Sequence, residues 1–255
     1  MGFVNSIERK NKILELLKRE GSVNVDSLTD LLGVSKVTIR TDLDDMEAKG
    51  LLIRTHGGAI NPDNNFGRIL STNLVKNQEE KIAICRVALE YIKPGMSIII
   101  DSGSTMVHLA RLIFNMNIVV ITNSILVVRE LMDSPTVELV VAGGVLRRPT
   151  MSLIGEMTSY TFENIHADLL FLGTPGFSIK KGLYSSSMFE AENKRQMIRQ
   201  ASEIFVLADS SKLENMFIAK VCSWDSIDYL ITDHLSDKDK EALALKGVET
   251  IIAGV

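Results

Sequence analysis

Residues 33–50 read GVSKVTIRTDLDDMEAKG. Gly33 permits a tight turn, and Ser35 is a side chain suited to cap a helix start. Ile39, Leu43 and Met46 follow at i, i+4 and i+7, one apolar face of a helix that Gly50 stops. Upstream, residues 6–20 predict a helix with Ile13, Leu14 and Leu17 on one face and Gly21 at its end. Val23 and Val25 alternate with polar residues, which suits a short strand or extended link. Asp26 or Ser27 is expected to cap a second helix carrying Leu28, Leu31 and Leu32. Two short helices joined by a glycine turn describe a helix-turn-helix. Downstream, Leu51-Leu52-Ile53-Arg54-Thr55 and Ala59-Ile60 flank His56-Gly57-Gly58, the pattern of a two-stranded wing with a glycine turn.

The third helix is asymmetric. Lys36, Thr38, Arg40 and Thr41 occupy its first two turns, whereas Asp42, Asp44, Asp45 and Glu47 come later. The N-terminal end of a recognition helix enters the major groove, where base contacts specify and phosphate contacts position. Acids farther along can tilt away from the backbone. Arg54 and His56 add basic and polar groups at the wing. Net charge does not advertise this role. Of 28 Lys+Arg and 32 Asp+Glu, residues 1–60 hold nine of each, so the whole acidic excess lies beyond them, 19 against 23. Local placement has to supply the basic face.

With 255 residues, the chain fits one small and one medium domain. The turn-rich Asn61-Pro62-Asp63-Asn64-Asn65-Phe66-Gly67 marks the boundary. The expected organisation is a DNA-binding domain over 1–60, a linker over 61–77 and a second domain over 78–255. No apolar run approaches the roughly 18 residues that cross a bilayer. A polar start followed at once by a charged helix does not read as a secretory signal, so a cytoplasmic protein without a membrane partner is expected. Met1-Gly2-Phe3-Val4-Asn5-Ser6 formally matches a myristoylation pattern, without the basic cluster or second anchor that stable attachment needs. Cys85 and Cys222 stand in unrelated contexts and suggest two reduced thiols, with no disulfide framework, metal or cofactor.

From Ser97 the periodicity changes. Apolar runs at 97–100, 118–121, 139–142, 169–172, 204–208, 229–231 and 250–252 alternate with helical segments at 106–114, 125–132, 190–202 and 237–246, after an opening helix at 78–92. This is an α/β pattern with a mainly parallel sheet covered on both faces. Ligands of such sheets bind beyond the carboxyl ends of the strands. The segments there are Asp101-Ser102-Gly103-Ser104-Thr105, Thr122-Asn123-Ser124, Gly143-Gly144, Gly173-Thr174-Pro175-Gly176 and Asp209-Ser210-Ser211-Lys212. All are small, polar or glycine-rich, and all should meet on one rim. Gly103-Ser104-Thr105 opens a helix, so its amides and hydroxyls can cradle an anion. Asp101 would repel a phosphate and suits sugar hydroxyls or the helix amides. Lys212, with Arg147 and Arg148, would balance a phosphate, unless the arginines lie on an exposed flap. His108 and His166 lack metal-spaced partners and read as surface or helix-face residues.

The run Val34-Ser35-Lys36-Val37-Thr38-Ile39-Arg40-Thr41-Asp42-Leu43, then Lys49-Gly50 and Arg54-Thr55-His56-Gly57-Gly58-Ala59, resembles the DNA-binding signature of the DeoR family, with Thr41 where the family usually has a basic or small polar residue. The resemblance implies that Ser35, Thr38 and Arg40 hold the DNA backbone, that Lys36 and Val37 face bases, and that Asp42 orients Arg40 or a neighbour. Asp101–Thr105, Thr122–Ser124, Gly143-Gly144 and Asp209–Lys212 resemble the DeoR sensor domain, of the fold group of ribose-5-phosphate isomerase and glucosamine-6-phosphate deaminase. Where those isomerases carry an Asp-Gly-Ala-Asp stretch, this chain has Gly173-Thr174-Pro175-Gly176, and their catalytic glutamate falls close to Lys194. The resemblance therefore implies a non-enzymatic repressor of a sugar or sugar-alcohol operon, relieved by a phosphorylated effector. A homodimer or homotetramer is expected, because one helix-turn-helix reads only a few base pairs. Two other readings stand beside it: an active isomerase fused to a DNA module, and a purely oligomerising α/β domain.

Overall fold

The computed structural model describes residues 6–55, 57–60 and 73–254, without the side chains of 18–20. His56, most of the linker expected at 61–77 and all but the last residue of the myristoylation pattern lie outside the described residues. The chain divides into two compact units, Met1–Val75 and Lys76–Val255.

The first unit runs α1 (Ser6–Glu20), β1 (Ser22–Asn24), α2 (Val25–Leu32), α3 (Lys36–Ala48), β2 (Ile53–Thr55) and β3 (Gly58–Ile60). Ile13 and Leu17 from α1, Leu28 from α2, and Ile39, Leu43 and Met46 from α3 close one small core. Gly33 sits at φ 64° and donates its amide to Thr29, ending α2 in the left-handed conformation that glycine tolerates. Ser35 Oγ accepts from the Thr38 amide and starts α3.

Two details differ from the sequence reading. The cap of α2 is Asn24, whose Oδ1 accepts from the Asp26 amide at 2.7 Å, not Asp26 or Ser27. Burial of Val25 draws that residue into the first turn and moves the cap upstream. The wing has three strands rather than two, in the antiparallel order β1-β3-β2, because Val23 pairs with Ala59. Gly58 makes this possible: a Cβ there would lie 1.8 Å from the Val23 carbonyl oxygen.

The second unit holds a seven-stranded sheet, all parallel: β4 (Ser97–Ile100), β5 (Ile118–Thr122), β6 (Val137–Val141), β9 (Ala167–Gly173), β12 (Ala201–Leu207), β14 (Tyr229–Thr232) and β15 (Glu249–Ile252). Strand side chains alternate between faces, so Ile98 and Ile100 enter one core while Ile99 enters the other. The first core lies under α4 (Gln78–Leu89) and α5 (Ser104–Leu112), and the second includes Ala191 and Met197 of α8 (Met188–Arg199). His108, read as a surface or helix-face residue, is buried on α5.

Strand order is β15-β14-β12-β9-β4-β5-β6. The chain leaves β4 toward one edge, then crosses back to place β9 on its other side. Between β4 and β9 lies the switch point, the position at which ligands of open α/β sheets bind. Around it the structure adds elements that the periodicity did not reveal. These are a hairpin of β7 (Val145–Arg147) and β8 (Ser152–Ile154), α7 (Glu156–Glu163), and an antiparallel sheet of β10 (Gly176–Ser178), β11 (Gly182–Ser185) and β13 (Ala219–Cys222). Among the described residues, no helix is long and apolar enough to cross a membrane.

Candidate functional site

Two groups of residues stand out, one in each unit. On α3 the buried face is Ile39, Asp42, Leu43 and Met46. Ser35, Lys36, Val37, Arg40 and Thr41 are exposed, and Thr38 is half-buried. Lys36 meets Asp26 at 2.6 Å, an exposed pair worth little in water. Arg40 has no ion-pair partner among the described residues.

The acids farther along α3 are all occupied. Asp42 does not orient Arg40: it points inward beside Ile39 and Leu43, accepts from Arg9 Nε at 2.5 Å and ties α1 to α3. Asp45 takes Lys10 and Lys49, which hold its carboxyl down at about 2. Asp44 takes Arg54 Nε at 2.8 Å, and Glu47 accepts from the Arg54 amide. Arg54 also reaches the Gly58 carbonyl at 2.7 Å, so its guanidinium is engaged within the wing. The acids are thus engaged within the unit, three of them by cations and Glu47 by a backbone amide, while the cationic and small side chains at the helix start face outward.

In the second unit the strand-end residues gather around the switch point. Asp101, after β4, accepts from the Gly173 amide at 3.0 Å and from Lys194 Nζ. Lys194 Nζ also donates to the Gly173 carbonyl at 2.9 Å. The loops after β4 and β9 are therefore clamped by a lysine nearly two turns into α8, and all of this is buried. Asp101 faces Lys194 and the Gly173 amide rather than the amides of α5. Gly103, at φ 136°, leads into α5, with Ser102 and Thr105 buried beside it. The Cys85 thiol donates to the Thr105 carbonyl, and burial pushes it up to about 12, which makes it a poor nucleophile.

After β5, Thr122 Oγ1 donates to the Ile100 carbonyl at 2.6 Å and accepts from the Ser124 amide, while Ser124 Oγ caps the next helix (Ile125–Leu131). These hydroxyls brace the loop. Asn123 donates to the Leu153 carbonyl, as Asn193 does from α8, and Asn123 Oδ1 is buried with no hydrogen-bond partner among the described residues. The Gly143 carbonyl accepts from Thr158, and a Cβ on Gly144 would meet Thr158 Oγ1 at 2.3 Å, so this pair packs against α7. Arg147 is held by Glu190 at 2.9 Å, a carboxylate that also receives Thr150 and Ser185, while Arg148 is exposed.

The loop after β12 carries the second charged group. Asp209 Oδ1 accepts from Asn77 Nδ2 at 2.8 Å and from the Ser211 amide and hydroxyl; Oδ2 lies 4.0 Å from Lys212 Nζ. Burial works to raise this carboxyl, but Ser211, Asn77, Lys212 and Lys81 together bring it below its ordinary value. Lys81, only 2% exposed, donates to the Lys76 carbonyl, and loss of water pushes its ammonium down to about 8 against the attraction of Asp209. Lys81 was not singled out in the sequence. It stands on the face of α4 with Ile84, Cys85 and Ala88, at i, i+3, i+4 and i+7, and a lysine on an apolar face was the signal available. Lys194 thus pairs with Asp101, and Lys81 and Lys212 share Asp209, at the ends of three adjacent strands, while Asp233, after β14, accepts from the Ser210 amide at 2.6 Å and from its hydroxyl at 2.8 Å.

Residues 9–65 match the family described as the DeoR-like helix-turn-helix domain, and residues 76–234 match the DeoR C terminal sensor domain. The HTH-type transcriptional regulator GlpR of Haloferax volcanii is 37% identical over 252 residues, covering 97% of this chain and 98% of that protein. A protein of Escherichia coli O157:H7 named for repression of the aga operon is 34% identical over 252 residues, covering 97% of this chain and 94% of its own. The glycerol-3-phosphate regulon repressor of Escherichia coli K12 is 30% identical over 227 residues, covering 89% and 90%.

Proposed function

The chain belongs to the DeoR family of transcriptional regulators, and from that premise we propose that it represses a sugar or sugar-alcohol operon until a phosphorylated effector binds at the strand-end rim. The observation that carries the effector assignment is that two lysines, 81 and 212, share one carboxylate, Asp209, in the loop after β12. Lysines 81, 194 and 212 face Asp101 and Asp209 beside the amides that open α5. A phosphate placed there meets desolvated cations and a helix start. Asp101 and Lys194 neutralise each other, so the charge assigned to the anion comes from Lys212 and Lys81 beside Asp209. A thermal-shift screen across hexitol, hexose and pentose phosphates tests this. One of them should raise the melting temperature and release operator DNA, and a flat response to all would discard the rim.

The geometry favours a regulator over an isomerase. Proton transfer between adjacent carbons needs an available base. Glu190 is committed to Arg147, Thr150 and Ser185, and Lys194 to Asp101. Relief of repression then follows if the effector favours the conformation with the lower DNA affinity.

For DNA, the reading is that α3 enters the major groove with Ser35, Thr38, Arg40 and Thr41 on the backbone and Lys36 and Val37 toward bases. Arg54 acts through the wing geometry that it fixes. Arg40→Ala is expected to weaken binding to every sequence by a similar factor and to reduce the slope of log K against log salt by about 0.9, the signature of one lost phosphate contact. Unchanged binding across a salt titration would remove Arg40 from the interface. We further propose assembly as a homodimer or homotetramer through the second unit, which light scattering of the full chain at micromolar concentration checks; a monomer there contradicts it.

A further inference from the structure

We propose that the crown of α3 reads thymine, with Val37 packing against the C5-methyl group of a thymine in each operator half-site. This rests on the reading of α3 as the helix that enters the major groove. In a helix turning about 100° per residue, Ile39, Asp42, Leu43 and Met46 set the inward direction, and Val37, Thr41 and Asp44 line the opposite side. Val37 is 71% exposed and takes no part in the core of its unit, so an aliphatic side chain stands at the outermost point of the first turn without a neighbour that explains it.

The hydroxyls around it are bonded within the helix and its cap, and the cations stand to one side of it. Thr41 Oγ1 donates to the Val37 carbonyl at 3.0 Å, so the next crown residue has its hydroxyl engaged within the helix. The Ser35 and Thr38 hydroxyls bond each other at 2.9 Å in the cap. Lys36, weakly paired with Asp26 on α2, stands about 100° round the helix from Val37, and Asp44 is taken by Arg54. What the crown offers a base edge is therefore apolar. Of the four bases, thymine alone presents an apolar group in the major groove. The edges of guanine, adenine and cytosine present donors and acceptors, which Val37 would strip of water without replacing their hydrogen bonds. Val37 thus favours thymine by contact and disfavours the other bases by desolvation.

The test uses operator DNA selected from a random pool with the purified full chain. Each thymine is then replaced singly by deoxyuridine, which removes the methyl group and nothing else. One thymine per half-site should show about three- to fivefold weaker wild-type binding on replacement, the worth of one buried methyl. Val37→Ala should bind the thymine and uracil forms alike, with the melting temperature of the wild type. Two results overturn the proposal: no position at which uracil weakens wild-type binding, or a Val37→Ala variant that keeps the thymine preference. Arg40→Ala on the same DNA separates this from failure of the underlying reading. If it loses affinity for all sequences while thymine and uracil bind equally, α3 is on the DNA and only the methyl contact is refuted; if it too binds normally, α3 is not the DNA-facing helix and both fall.

Discussion

Lys194→Ala is expected to lower the melting temperature of the second unit by roughly 6–20 °C. Lys194 and Asp101 are 6% and 2% exposed at their side chains and bond each other. Removing one partner of a buried pair leaves an uncompensated charge, at a cost of about 3–5 kcal/mol. For a domain of this size each kcal/mol moves the midpoint by about 2–4 °C. The Gly173 carbonyl also loses its donor, while the Gly173 amide continues to satisfy only part of the carboxylate. The double replacement Lys194→Met with Asp101→Asn removes both charges and should recover much of the loss. Differential scanning calorimetry of the three proteins decides the matter. A drop under about 2 °C for the single variant would mean that water reaches Asp101 and that the clamp between the loops after β4 and β9 is weak. Asp101→Asn alone therefore probes this clamp before any sugar hydroxyl.

How far the sequence foretold these features depends on how local their cause is. The helix-turn-helix was legible because Gly33, Ser35 and the Ile39/Leu43/Met46 face each act within a few residues of themselves. The parallel sheet was legible because buried strands are apolar throughout, as at Ile98–Ile100 and Leu169–Leu172. The alternation at Val23 and Val25 suited a short strand or an extended link, but its place in the wing was not legible, since that depends on the pairing of Val23 with Ala59, distant in the chain. The hairpin at Val145–Ile154 and the sheet of β10, β11 and β13 are strands of three or four residues, too short for a period to emerge. At the site, the loops announced themselves by composition, but their partners did not. That Lys194 meets Asp101, 93 positions away, or that Arg147 meets Glu190, is a fact of the folded topology. Asp42 shows the same limit in reverse. Its place in the motif suggested a role beside Arg40, whereas its helical phase turns it toward Arg9.

Lys212→Ala and Lys81→Met are each expected to weaken a sugar-phosphate effector by about ten- to a hundredfold, the cost of roughly 1.5–3 kcal/mol for a lost bond to a charged group. The two variants should differ in their dependence on pH. The Lys81 ammonium is pushed down by burial to about 8, against an ordinary value of 10.5. Below that pH it is already charged and its attraction for the phosphate is fully present. As the pH rises through about 8 the free protein loses this proton, and binding must take it back, so affinity falls by up to about tenfold per pH unit. On the acid side the phosphate loses its second charge near a pKa of about 6, so wild-type affinity should be highest between about pH 6 and 8. Lys81→Met removes the titrating group and should flatten the alkaline limb while keeping the acid one. Lys212→Ala should lower the whole profile and keep its shape, because Lys81 still titrates. Isothermal calorimetry in buffers of different ionisation heat gives both quantities, affinity and the number of protons taken up on binding. A wild-type affinity constant from pH 7 to 9.5 with no proton uptake would place the effector away from Lys81, and unaltered affinity in both variants would place it away from the rim altogether.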